Sequence, residues 1–161
     1  MSDFQAVINS VTATADENRF KATVDESWLQ GRTAFGGLSA ALVATAMNSI
    51  VAPDRRLRSL SVLFVGPVPA GEHDIQLREL RVGGSVSHLQ GDLICQGDVV
   101  VNVSAAYGKD RQSAVTVASP KMPKLSDPEA LARLPYIEGV TPSFTQHFDM
   151  RTEYGAKPVS G

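Results

Sequence analysis

Residues 38–52 form a helix-length run without a single charged side chain, entered directly from the heptapeptide Gly31-Arg32-Thr33-Ala34-Phe35-Gly36-Gly37. A helix on a protein surface needs a polar face toward water. Here Leu38, Ala41, Leu42 and Thr45 fall on one side and Ala40, Val43, Ala44, Met47 and Ile50 on the other, so the run predicts a helix buried all round. It is expected to start at Gly36 or Gly37 and to end near Ala52, ahead of Pro53. Two glycines at a helix start leave backbone N–H donors open at the positive end of the helix dipole, where a carbonyl oxygen or an anion can approach closely. Close packing of the helix start on a sheet calls for the same residues. The stretch 34–52 is long enough to cross a membrane, yet it is Ala-rich and interrupted by Gly36, Gly37, Ser39, Thr45, Asn48 and Ser49, which favours a buried globular helix.

Composition narrows the class. With 161 residues, 43% hydrophobic and 20% charged, the chain can bury one good core and hardly two. A net charge of −2, with Lys and Arg scattered, offers no surface for nucleic acid or an anionic membrane. Cys95 is the sole cysteine, which excludes an intrachain disulfide and a multi-cysteine metal site and fits a reducing compartment. The opening MSDFQAVINS lacks the basic segment and apolar core of a secretory signal, so a cytoplasmic location is expected. His73, His88 and His147 show no metal spacing, and no Gly-x-Ser-x-Gly elbow, phosphate loop or dinucleotide fingerprint occurs. No metal or cofactor is expected.

After the helix the chain reads as β. Four strand-length runs, 57–65, 74–82, 85–96 and 99–107, are separated by Pro67-Val68-Pro69-Ala70-Gly71, by Gly83-Gly84 and by Gly97-Asp98, the last two being two-residue hairpin signals. Alternation assigns inward faces to Leu60, Val62 and Phe64, to Leu89, Leu93 and Cys95, and to Val99, Val101 and Val103. In the second strand Ile75 and Leu77 point one way and Leu80 and Val82 the other, which a β-bulge near Arg78 and Glu79 would repair. Residues 19–24 read as a strand, whereas 4–11 fit either a helix or a strand. Five of the nine prolines lie between Lys109 and Pro142, marking a linker over 109–142 in which only 126–134 reads as ordered, a short helix with Ser126 and Glu129 at capping-box spacing. Phe144, Gln146, Phe148 and Met150 then alternate with Thr145, His147, Asp149 and Arg151 as a fresh strand would.

One apolar helix and one long antiparallel sheet pack most economically with the sheet curled around the helix, an α+β hotdog fold. The GRTAFGG sequence at 31–37, LSVLFVGP at 60–67 with its Phe64, and RVGGSVS at 81–87, in that order, resemble acyl-CoA thioesterases with two hotdog modules in one polypeptide, the bacterial thioesterase II type. The resemblance covers about residues 15–110. It implies a hotdog domain over 1–108, the linker, and in 143–161 the first strand of an incomplete second module, similar to the family's strand at SFTQHFDMR. It implies an acyl-CoA substrate and a homodimer or larger homo-oligomer.

Thioester hydrolysis needs a group that directs water and donors for the oxyanion. The N–H of Gly37, aided by Gly36, is the candidate donor. The acid has no candidate on the helix, because 33–53 holds no Asp or Glu, and in the two-module family the catalytic Asp, hydroxyl residue and Gln come from the second module. Candidate substrate-binding residues are therefore Phe35, Gly36, Gly37, Ser85, Ser87, His88 and Gln90, with no catalytic residue assigned. Each has a plain structural alternative: Phe35 as a core plug, the serines as turn residues, His88 and Gln90 as a surface pair, and Cys95 as an inert core thiol. Asp25, Glu26 and Asp92 are the first acids to test should the chain alone prove active. Hotdog hydratases need a His or an Asp–His pair at the helix, which this chain lacks. Two readings stay open: an acyl-CoA thioesterase completed by a second module, and a non-catalytic hotdog that binds acyl-CoA or mediates assembly.

Overall fold

The computed structural model describes residues 3–155. Helix α1 (Phe4–Asn9) is capped by Asp3, whose carboxylate accepts the Ala6 N–H. Strands β1 (Thr12–Ala13) and β2 (Arg19–Val24) follow, then a 3-10 turn at Glu26–Trp28 and a small hairpin, β3 (Leu29–Gln30) with β4 (Thr33–Ala34). The long helix α2 spans Gly36–Ile50. Four long strands complete the sheet: β5 (Arg55–Phe64), β6 (Gly71–Val82), β7 (Val86–Cys95) and β8 (Asp98–Lys109). The six strands run antiparallel in the order β1-β2-β6-β7-β8-β5, and α2 packs across β6, β7 and β8.

The core lies between α2 and that face of the sheet. Leu38, Leu42 and Ala46, with Ser39, Val43 and Met47, form the buried stripe of the helix against Ile75, Leu77, Leu89, Leu93, Val101 and Val103. Gly91 marks the closest approach, because a Cβ there would stand 2.6 Å from Val43 and 2.8 Å from Leu77. The helix is not buried all round. Gly37, Asn48 and Ser49 are exposed and Ala40, Ala41, Ala44 and Thr45 half-buried, since the sheet covers one face of α2 only. The uncharged second face is therefore one of small side chains rather than a second core face.

Bulges reset three strand phases. In β6 the register shifts between Glu79 and Arg81, placing the extra residue at Leu80, one position beyond the expected bulge. A shift opposite Leu93 and Ile94 makes Val100 the extra residue of β8, so Val100 and Val101 are buried while Val99, expected inward, is exposed. In β5, past a shift at Arg58, Leu60, Val62 and Phe64 pair with the inward residues Ala105, Val103 and Val101, so their face is as expected. Their burial is not, because β5 is the edge strand: Leu60 is 40% and Phe64 58% exposed. Cys95, at the end of β7, is half-buried against the rim of the core rather than within it.

The C-terminal part departs further from expectation. The only regular turn within 126–134 is a 3-10 turn at Pro128–Ala130, capped by Asp127, while Ser126 bonds to Glu153 through its N–H and its hydroxyl instead of closing a capping box. No strand forms over 143–151. A 3-10 turn at Ser143–His147 takes its place, followed by a single bridge of Arg151 to Arg133. A strand needs a hydrogen-bonding neighbour along its length, and here the aromatic side chains of the segment lie instead against Trp28 and Phe35. Part of the notional 143–161 strand segment, 156–161, lies outside the described residues.

Candidate functional site

The start of α2 is set by what precedes it. The Phe35 N–H donates to the Trp28 carbonyl (2.9 Å), and the Phe35 carbonyl accepts the N–H groups of Leu38 (2.9 Å) and Ser39 (3.2 Å). Phe35 is the N-cap residue, and its ring can accept no hydrogen bond, so no side chain caps the helix. Each glycine lies under an aromatic ring. A Cβ at Gly36 would stand 2.9 Å from the Phe64 ring, and one at Gly37 only 2.5 Å from the Phe35 ring. Both positions bring the backbone close to a ring, a clustered one at Gly37 and the exposed Phe64 ring at Gly36, and glycine sets no side chain over the first-turn N–H groups.

Beside Gly36 opens a cleft of about 430 Å³ between the β3–β4 hairpin, the helix start and the end of β5. The hairpin is tied to the loop after β5 by the Ala34 N–H to the Val68 carbonyl (2.6 Å) and by the Val68 N–H to Thr33 Oγ1 (2.9 Å). Phe64, Val65, Pro67 and Val68 supply apolar wall, Arg32 is the charged residue among its lining, and Ser39 lies at the helix side. Among the described residues no carboxylate lines this cleft. Arg32 and the helix dipole give it positive character, suited to an electron-rich or anionic group.

On the other side of Phe35 is an aromatic cluster that sequence reasoning missed. Phe35 stacks on Phe144 (4.4 Å) and meets Phe148 edge-on, while the buried Trp28 stacks on His147. His147 Nε2 is 2.9 Å from Ser27 Oγ, and that hydroxyl donates to the Asp25 carboxylate. Burial holds the His147 pKa below the ordinary imidazole value, with Ser27 and the Asp25 charge acting the other way. Only the alternation of aromatic residues in 143–151 hinted at these contacts, because nothing local names the rings they meet.

The expected site residues do not all converge. Phe35, Gly36 and Gly37 stand together. Ser85, Ser87 and His88 lie by the β6–β7 turn, where Ser87 is paired with Tyr107 and Tyr107 with Leu57 at the far end of β5. Leu57 and Phe64 are seven residues apart on that strand, roughly 23 Å at the strand rise. The Ser87 hydroxyl is buried and accepts from the Arg55 guanidinium, which also donates to the Gly83 carbonyl (2.7 Å), so it braces the turn. His88 is exposed, and Gln90 accepts from Arg78. Of the reserve acids, Asp25 caps the 3-10 turn, Glu26 is exposed, and Asp92 accepts from Asn102 (2.5 Å). Among the described residues no cluster of three His, Cys, Asp or Glu could hold a metal, and no helix is long and apolar enough to cross a membrane.

Against this geometry, the family model described as acyl-CoA thioesterase N-terminal domain matches residues 24–108, from the end of β2 through the helix start, the cleft and the sheet. The chain belongs to the acyl-CoA thioesterase N-terminal domain family. Solved structures agree on the fold. A conserved hotdog protein of unknown function from Alicyclobacillus acidocaldarius superposes with a TM-score of 0.80 at 22% identity, over 95% of this chain and 56% of that one. An acyl-CoA thioesterase II of Mycobacterium marinum gives 0.65 at 18% identity over 78% of this chain and 46% of that one. The TesB protein of Mycobacterium avium subspecies paratuberculosis gives 0.65 at 18% identity over 80% and 49%. The fold is therefore the hotdog expected from the sequence, and this thioesterase-family chain spans about half the length of those structures. Among curated proteins no match was found.

Proposed function

We propose that this chain binds acyl-CoA at the start of α2 and takes part in its hydrolysis to free acid and CoA together with a second hotdog module. The observation that carries this reading is the opening of the positive end of a 15-residue helix, at Gly36, onto a cleft that holds Arg32 and, among the described residues, no carboxylate. In hydrolysis, water adds to the thioester carbonyl carbon and gives up a proton, the carbonyl oxygen gains negative charge, and the C–S bond then breaks to release the thiol. The helix start suits the second demand. A base for the water is the part this cleft lacks, and a second module is its proposed source. Family membership and the half-length coverage of the matched structures support that division.

The same proposal extends to assembly and place. The exposed apolar side chains of β5, Leu57, Leu60, Leu63 and Phe64, on an unpaired sheet edge, support a homodimer or larger homo-oligomer formed along that edge. A cytoplasmic location accords with the lone Cys95. The second reading, a non-catalytic module for acyl-CoA binding or assembly, is favoured by the same lack of a carboxylate in the cleft.

A thiol-release assay on the 161-residue chain, alongside calorimetric binding of acyl-CoA, tests these statements. We expect binding with turnover near background, since loss of a positioned base costs on the order of 10² to 10⁴ in rate. Turnover well above background would overturn the need for a second module and direct mutation to Asp25, Glu26 and Asp92. Absence of binding would leave assembly alone.

A further inference from the structure

Helix α2 carries three hydroxyl side chains, and two of them are satisfied on the helix itself. Thr45 Oγ1 donates to the Ala41 carbonyl (2.8 Å) and Ser49 Oγ to the Ala46 carbonyl (2.7 Å). Ser39 is the third. It is only 1% exposed, and its Oγ has no hydrogen-bond partner among the described residues. The carbonyl one turn back, that of Phe35, already accepts the backbone N–H groups of Leu38 and Ser39. A buried hydroxyl without a partner is unfavourable in a protein interior, and a packed core would accept alanine at this position without loss. Ser39 instead lines the cleft beside Gly36, three residues away and so on the same helix face. Side chains on a helix lean toward its N-terminus, which tilts this hydroxyl toward the end where the free N–H groups emerge.

We propose that Ser39 is a substrate-binding residue whose hydroxyl donates a hydrogen bond to the carbonyl oxygen of an acyl thioester seated in this cleft, acting with the Gly36 N–H. The proposal rests on the acyl-CoA reading above and adds to it a named side-chain donor. It assigns the cleft to the carbonyl-bearing end of the ligand, with Phe64 and Val65 against the adjoining acyl carbons and Arg32 toward the anionic part of the thiol carrier. A ligand of the same length and charge without the carbonyl oxygen would leave the hydroxyl as it is now.

The test compares two non-hydrolysable CoA derivatives, a keto thioether (S-2-oxoalkyl-CoA) and the plain S-alkyl-CoA, each with butyl, octyl and dodecyl chains, bound to the whole chain and to Ser39→Ala. The wild type should prefer the keto compounds. Ser39→Ala should weaken keto binding by about five- to tenfold, leave alkyl binding unchanged, and melt at the same temperature or higher, because no protein partner loses a hydrogen bond. Equal affinities of Ser39→Ala and wild type for the keto compounds, or an equal loss for both series, would overturn the role of Ser39 while leaving acyl-CoA binding in place. A marked fall in melting temperature would overturn it by revealing a structural partner for the hydroxyl. Failure of the wild type to bind either series at any length would overturn the acyl-CoA reading itself, and this proposal with it.

Discussion

The indole of Trp28 and the imidazole of His147 lie face to face, with ring centroids 4.0 Å apart and planes 2° from parallel. This contact, with the Ser27 hydroxyl at the ring edge, docks the segment after the Pro-rich stretch beside the helix start. Burial against the indole depresses the His147 pKa, so the docked imidazole takes up a proton less readily than the free one. Docking is therefore at full strength above the unperturbed value of about 6.5 and weakens as pH falls from there through the lowered docked value. Trp28 is the sole tryptophan, so its fluorescence should report the transition as pH is lowered from about 7.5 through the depressed His147 value, and His147→Leu should remove it. A wild-type signal that is flat across this range would contradict the docking argument.

The two glycines of the helix start should respond differently to a side chain. A Cβ at Gly37 collides with the Phe35 ring, which is held by Phe144 and Phe148, so the ring cannot turn aside without breaking that cluster. Gly37→Val is expected to destabilise the protein by about 1–3 kcal/mol and to abolish acyl-CoA binding. The ring over Gly36 is that of Phe64, 58% exposed and free to swing outward. Gly36→Ala should stay within about 1 kcal/mol of the wild type. Chemical denaturation of both variants decides between ring-locked and ring-tolerant positions.

Ser87 should behave as a brace. Removing its hydroxyl leaves the buried Arg55 guanidinium short of an acceptor, and Ser87→Ala is expected to cost about 1–3 kcal/mol in urea unfolding with acyl-CoA affinity unchanged. A loss of affinity without a loss of stability would return Ser87 to the binding site.

Charge on the open edge should control assembly. Leu63 is 63% exposed on β5, and a lysine there would face no partner in a single chain but would be buried in an edge-to-edge pair. Sedimentation at micromolar concentration should give a dimer or larger species for the wild type and a monomer for Leu63→Lys. A clean wild-type monomer would contradict the proposed assembly.

The local pattern of the sequence carried the fold. A charge-free run opened by Gly36 and Gly37 and closed ahead of Pro53 defines α2 within two residues at either end, and period-two alternation with Gly-Gly and Gly-Asp turns defines the four long strands. Both signals are short-range, set by backbone periodicity and turn chemistry, and a helix of that kind beside a sheet of that length leaves the hotdog as the economical packing. What the tertiary structure alone decided is which partners each face meets. Leu60 and Phe64 have the phase of core residues, yet they remain exposed because β5 falls at the edge, and strand order is not written in alternation. Residues 143–151 have the pattern of a strand, yet 143–147 coil as a 3-10 turn whose rings stack on Trp28 and Phe35, more than a hundred residues earlier, instead of pairing with a sheet edge. Ser39 reads in sequence as a mere polar interruption of an apolar helix. It becomes a candidate binding residue only when folding buries its hydroxyl against a cleft and leaves it without a partner among the described residues.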